Sequence, residues 1–449
     1  MRLGLAGHAR ARTTVVLTVL VTVCATLLAG GSASAAAAER GREGLTGYAF
    51  DARCAPTQEQ MDAWLTSSPF WGVGVYIGGS TMSCRPSATD AGQPHLDATW
   101  VARQRASGWR VLPLWVGPQA ACQTSYTDLI DPDPAGAYAA ADARGRAEAT
   151  AAVARARELG LPGGTTLWYD LEGGFDVADE DCRRSALRFL SGWTSALHAL
   201  GHRSGVYSSV SAGIHALDNA DHLSPGSYEM PDQVWYAWYN GEEDVDIASQ
   251  WVRADTWRGD RIHQYEAHTS VVYGGVALTI DRNFLELDGG SRVPRTTRAC
   301  GRTRVDFGSY PRLRPGSRGD RVAALQCLLR KNGRYRGTLD GRYDRDVVRA
   351  LRTFQRRHDL RETGKADRAT WTVLFATGST PLLKVGSSGE SALRVQRALR
   401  AGGARSVRVT GVVTDRTAAA VARLQRRLGL DPTGVVTVET WAALQTGAH

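Results

Sequence analysis

The run Thr166-Leu167-Trp168-Tyr169-Asp170-Leu171-Glu172 reads as a strand that finishes in two carboxylates. Asp170 and Glu172 stand two residues apart, so along an extended chain they face one side, their Cα atoms roughly 6–7 Å apart. Two acids that close raise the pKa of one of them, which keeps a carboxyl protonated near neutral pH. Helical stretches flank the run, 134–159 before it and 181–200 after it. Working outward, further strand-like segments fall at 47–51, 73–77, 111–116, 204–208, 234–239, 262–265 and 277–281, with helices over 58–66 and 97–107. Strand and helix alternating between Leu45 and Asp288 predict an α/β fold, a (β/α)8 barrel of the TIM type. The connection Glu266–Val276 is too rich in Gly and Ser for a helix, so the barrel should close irregularly at its last strand. A doubly wound open sheet is the competing architecture, but no GxGxxG follows a strand to support it.

In such barrels the chemistry sits at the C-terminal ends of the strands. Asp51 is expected to end the first strand, Asp170 and Glu172 the fourth, and Asp281 the eighth. Tyr76, Trp115, Tyr207, Trp238 and Tyr265 lie near other strand ends. Carboxylates among aromatics suit sugar chemistry, in which rings stack on pyranose faces and two carboxyls act as acid and as base or nucleophile.

These segments resemble the secreted glycoside-hydrolase-like barrels of a bacterial family distantly similar to the family-25 lysozymes. The resemblance rests on Gly47-Tyr48-Ala49-Phe50-Asp51, Val75-Tyr76-Ile77-Gly78-Gly79, Trp168-Tyr169-Asp170-Leu171-Glu172, Gly205-Val206-Tyr207-Ser208, Gln264-Tyr265 and Ile280-Asp281. It implies that Asp170 and Glu172 supply a muramidase-type catalytic pair, with Asp51 and Asp281 beside them and Gln264 among the sugar-binding residues. It does not imply turnover, because barrels keep their shape after losing activity. A glycan-binding protein using the same cleft stays open.

The C-terminal third is duplicated. Gly316-Ser317-Arg318-Gly319-Asp320 recurs as Gly386-Ser387-Ser388-Gly389-Glu390, Leu325-Gln326 as Val395-Gln396, Phe354-Gln355 as Leu424-Gln425, and Trp371 as Trp441, always 70 residues on. A constant offset marks a repeated domain. Apolar residues at helical spacing over 321–330, 346–358 and 370–375 predict a small all-α three-helix bundle in each copy. These residues resemble the peptidoglycan-binding domain family, which implies a module holding the barrel on the wall. The expected order is a signal peptide (1–36), the barrel (45–288), a linker (289–310) and two such domains (311–378 and 381–447).

Charge divides at the same place. From Pro311 onward, 27 Lys/Arg face 11 Asp/Glu, a net +16; from Gly41 to Tyr310, 23 face 33, a net −10. A basic module outside the cell is placed to meet anionic wall polymers rather than nucleic acid. Export is expected from the N-terminus. Arg2, Arg10 and Arg12 precede an apolar stretch from Thr13 to Leu28, followed by small residues at Ala33-Ser34-Ala35, the anatomy of a secretory signal. That stretch is shorter than a spanning helix requires, which argues against a permanent anchor. The protein is therefore expected to be secreted and wall-associated, with peptidoglycan or another wall glycan as partner, and monomeric.

Six of the seven cysteines lie beyond this segment. Loops that follow adjacent parallel strands come together, so Cys54–Cys84 and Cys122–Cys182 are expected as disulfides, with Cys300–Cys327 tying the first repeat. No CxxC or close Cys/His pairing suggests a metal, and no cofactor is expected. His198 and His202 are spaced like ligands, but Gly201 suggests a helix end. No GxSxG elbow is present, which makes a peptidase or amidase the weaker alternative.

Overall fold

A computed structural model describes residues 44–84, 92–247, 250–293 and 300–449. The expected signal segment lies outside the described residues. Among those described, no helix is long and apolar enough to cross a membrane.

Eight strands close into one barrel in sequence order: β1 (Leu45–Asp51), β2 (Phe70–Gly78), β3 (Arg110–Trp115), β4 (Thr166–Asp170), β5 (Arg203–Ser209), β6 (Gln233–Ala237), β7 (Arg261–Tyr273) and β8 (Val276–Leu287). Five helices wrap it: α1 (Gln58–Ser67), α2 (Ala98–Ser107), α3 (Ala139–Glu158), α4 (Glu180–Ala199) and α5 (Gly213–Leu223). Their starts are written in the sequence. Thr57 and Gln60 form a reciprocal capping box on α1, Asp97 caps α2 and Asp179 caps α4, each satisfying amides that the first turn leaves free.

Two expectations need correction. First, β7 and β8 form an antiparallel hairpin, and β8 runs antiparallel to β1 as well. A tight Gly274-Gly275 turn has no room for a crossover helix, so the eighth strand must return in the opposite direction. Second, α3 begins at Ala139 rather than Pro134, because residues 134–138 are spent in a turn.

Inside the barrel, Leu112, Leu114, Trp168, Trp235, Ile262 and Leu285 form a packed floor. The Trp168 and Trp235 rings meet edge to face at 5.7 Å. Gly74 is required where β2 crosses this layer: a Cβ there would stand 2.6 Å from that of Asp51 and 2.9 Å from the Trp235 ring. Below the floor, the strand starts carry a ring of paired charges. Asp288 binds Arg203 and, at 3.2 Å, Arg110; Arg203 also reaches Asp260, which accepts from Gln233 at 2.7 Å.

The three cysteine pairs lie at bonding distance: Cys54–Cys84, Cys122–Cys182 and Cys300–Cys327 have Cα separations of 5.5, 5.7 and 5.8 Å. The repeats are helical triplets, α6 (Asp320–Lys331), α7 (Arg345–Arg357) and α8 (Arg368–Ala376), then α9 (Glu390–Ala401), α10 (Asp415–Leu428) and α11 (Val438–Gln445). The 70-residue offset extends to backbone pairing, since the bridges Leu313–Ala366 and Arg318–Arg342 recur as Leu383–Val436 and Ser388–Val412.

The second repeat sits on the foot of the barrel. Lys384, 1% exposed, donates to the Phe70 carbonyl at 2.7 Å, with its ammonium 5.1 and 5.0 Å from the Trp71 and Trp109 ring centres. Trp71 Nε1 donates to the Val385 carbonyl at 3.1 Å. Part of the expected linker is also packed: Asp306 pairs with Arg397, and Tyr310 lies against Trp371 and Phe375.

Candidate active site

The antiparallel return of β8 brings the outermost acids together. Its register sets Asp281 directly opposite Asp51. Asp281 thus reaches the mouth from the middle of a strand that runs on to Leu287, not from a strand end. Two residues further along β8, and so on the same face, Asn283 donates to Asp51 at 2.7 Å and accepts from Trp235 Nε1 at 2.7 Å. Asp51 also accepts from Gln264 at 3.3 Å and from the Tyr76 hydroxyl at 3.4 Å. Gln264 in turn accepts from Tyr207 at 2.8 Å and Tyr239 at 3.0 Å.

Asp170 ends β4, whereas Glu172 lies beyond it in the following loop, not on the strand as expected. Gln119 holds that loop: its amide nitrogen donates to the Asp170 carbonyl at 2.9 Å, and its oxygen accepts the Glu172 backbone N–H at 2.7 Å. Asp170 is 1% exposed, and its Oδ1 is buried without a hydrogen-bond partner. Leaving an ionised carboxylate in that state is costly, so the group favours its neutral form.

The electrostatics follow from burial. Asp51, 2% exposed, is pushed up to about 8 by burial and then by Asp281, against the opposing pull of Asn283, Gln264 and Tyr76. Burial, then Glu172 and Asp51, hold Asp170 well above the usual carboxylate range. Burial and Asp281 raise Glu172, and burial also raises Asp281, although the His268 backbone N–H at 2.6 Å opposes it. The side chains that donate to Asp51 are neutral: Asn283, Gln264 and Tyr76. Asp51 and Asp170 thus hold protons near neutral pH, and Glu172 and Asp281 are shifted in the same direction, the property a proton donor to a bound molecule needs.

Of the aromatics singled out from the sequence, Tyr76 and Tyr207 point into this cluster, while Trp115, Trp238 and Tyr265 do not. Trp115 donates to Glu148 of α3 at 2.7 Å, in the layer between barrel and helices. Trp238 packs with the outer cluster around Tyr236 and His263. Tyr265 lies beside the inward Gln264 and therefore faces outward, under the Arg282 guanidinium at 5.2 Å. Strand alternation explains all three, since each follows a residue that faces inward. Asn283, Tyr239, Gln119 and Tyr126, whose phenol is raised to about 12 by burial, Glu172 and Asp170, were not anticipated. Asn283 was the findable one, two residues from Asp281. Tyr239 leaves 61% of its surface exposed at the mouth.

Residues 62–285 match the family described as "Rv2525c-like, glycoside hydrolase-like domain". Residues 318–374 and 388–444 each match the peptidoglycan binding domain family. No curated protein matches the chain. Among solved structures, an uncharacterized B. stearothermophilus protein is 18% identical, covering 54% of this chain and 98% of that one, with a TM-score of 0.34. The modular autolysin LytC from Streptococcus pneumoniae is 13% identical over 53% of this chain and 46% of its own, with a TM-score of 0.33. GHIP, a glycosyl hydrolase 25 of Streptococcus pneumoniae, is 14% identical over 56% and 89%, with a TM-score of 0.31. The acid-lined barrel therefore belongs to the Rv2525c-like glycoside hydrolase-like family, here joined to two peptidoglycan-binding domains in a protein of cell-wall glycans.

Proposed function

We propose that this is a secreted, wall-bound glycosidase that hydrolyses a glycosidic bond of peptidoglycan or a related bacterial glycan. The observation that carries this reading is the meeting of Asp51, Asp170, Glu172 and Asp281 at one barrel mouth, each raised in pKa. Glu172, the acid on the loop at the rim, gives its proton to the glycosidic oxygen as the bond to the sugar carbon breaks. Asp170, which burial keeps neutral, orients a neighbouring N-acetyl group to attack that carbon. Water then adds to the carbon, and its proton returns to Glu172. Asp51 and Asp281 hold the sugar in place, with Tyr239 offering an exposed ring for stacking. The repeats keep the enzyme on its polymer.

A mouth that holds sugar without cleaving it is the second reading. It is favoured by Asp51, whose oxygens already accept from Tyr76, Gln264 and Asn283. Mass spectrometry of fragments released from purified wall by the mature protein separates the two. Soluble muropeptides with new reducing ends are expected. Released peptides instead would point to an amidase or peptidase, and sugar binding with no fragments would leave the binding reading.

A further inference from the structure

Resting on the wall-binding reading, we infer that the two repeats do different work: an arginine stripe on α7 of the first binds repeating anionic groups of a wall polymer, while the second is an adaptor that seats the pair on the barrel. The duplication supplies its own control. Arg345, Arg349, Arg352 and Arg356 recur at i, i+4, i+7 and i+11 and are all exposed, so they share one face of α7. The opposite face, with Val347, Ala350, Leu351, Phe354 and Gln355, is buried. In the second repeat the buried face is kept as Thr417, Ala420, Val421, Leu424 and Gln425. The corresponding positions read Asp415, which accepts from the barrel's Tyr48 hydroxyl at 3.0 Å, then Ala419, the half-buried Ala422 and Arg426. The fold therefore does not require the stripe. Arg349 pairs with Asp346 and Arg356 with Glu362, but exposed pairs of this kind are weak and open readily to a competing anion.

Three cations of the second repeat are turned inward, while Arg405, Arg408, Arg416, Arg423, Arg426 and Arg427 stay exposed. Lys384 enters the barrel foot, Arg394 stacks on Trp441 at 4.5 Å and donates to the Ala376 carbonyl at 2.6 Å, and Arg397 is held by Asp306 at 2.7 and 2.9 Å. Their counterparts in the first repeat are the exposed Arg314, Ala324 and the disulfide-bonded Cys327. At these positions the second copy turns its cations into packing contacts, while α7 of the first presents four arginines to solvent at a spacing of roughly 5–6 Å between neighbouring Cβ atoms. A linear polymer with phosphodiesters or carboxylates along its length fits such a stripe better than a single small anion.

The test uses the full chain and purified sacculi, before and after chemical removal of phosphodiester-linked polymers. Arg349→Ala with Arg352→Ala copies the second repeat and so should fold; circular dichroism checks this. The pair should weaken binding about 25-fold, since each cation near a polyanionic surface contributes roughly a factor of five, and should flatten the salt dependence. Ala419→Arg with Ala422→Arg should strengthen it. Loss of stripe-dependent binding with the phosphodiesters identifies phosphate as the anion; its persistence identifies wall carboxylates. Wild-type binding that neither double variant changes overturns the stripe alone. No wild-type binding at all overturns the wall-binding reading with it, whatever the barrel does to soluble fragments.

Discussion

The two ends of the barrel both draw acids partly or wholly out of water, but they treat them differently. At the foot, Asp288 and Asp260 share Arg110 and Arg203, so each charge taken from water meets an opposite one. At the mouth, Asp51, Asp170, Glu172 and Asp281 meet one another and a set of neutral donors, Asn283, Gln264 and Tyr76. Burying charges without opposite charges is unfavourable, and a fold alone does not call for it. The foot shows that this chain can neutralise its acids where it only needs to stand; the mouth is where it does not. Strained electrostatics of this kind cluster at functional sites.

The largest effect should come from removing the proton that the mouth stores. Glu172→Gln keeps size and hydrogen bonding, and kcat for release of muropeptides should fall about 10²–10⁴-fold. Asp170→Asn should also impair turnover while leaving sugar binding, measured by calorimetry, largely intact. Unchanged rates in both variants would dissolve the contrast between the two ends. At the foot, Arg203→Ala should cost stability, about 1–2 kcal/mol by denaturant titration. The loss is held down because Asp288 keeps Arg110 and the site is partly open to water. Turnover at temperatures where the variant stays folded should be unchanged.

Asp51 gives the opposite sign. Its pKa rises from an ordinary 3.8 to about 8 on folding, so between these values the folded chain binds more protons than the unfolded one. Its contribution is therefore fully present below about pH 4 and lost as pH rises through about 8. Asp51→Asn should flatten that slope and raise stability at pH 8, on the order of a few kcal/mol, at the expense of activity. A variant less stable than wild type at pH 8 would make Asp51 a structural anchor. The smallest effect on the mouth should come from Trp115→Phe, which breaks the bond to Glu148 yet should leave turnover within about twofold. Tyr207→Phe, which removes a donor to Gln264, should lower it further.

Most of the barrel was legible because strand and helix write different periods. All eight strands were marked, and the irregular closure was read from the composition of 266–276. What composition could not tell was direction. A Gly-Gly turn makes β8 antiparallel, and this places Asp281 at the mouth for a reason other than the expected one. Glu172 was assigned to a strand because its neighbours look extended; the strand ends at Asp170, and a glutamine from another loop supports the rest. The aromatics were chosen by nearness to strand ends, whereas the deciding property was parity. Tyr76 and Tyr207 share the inward face, and Trp115 and Tyr265 do not. Gln119 and Tyr239 sit in loops, where pattern carries little information and only the folded chain brings them to the acids.

Lys384 fixes more than a contact. A domain on a flexible tether explores a sphere, and its catalytic end meets substrate at any distance the tether allows. Here the second repeat is wedged into the end of the barrel opposite the mouth, so a pull on the repeats passes straight into the starts of β1 and β2. Whatever the repeats hold, the barrel is fixed to it through packed contacts, Lys384 under β2 and Asp415 on Tyr48, rather than through a leash.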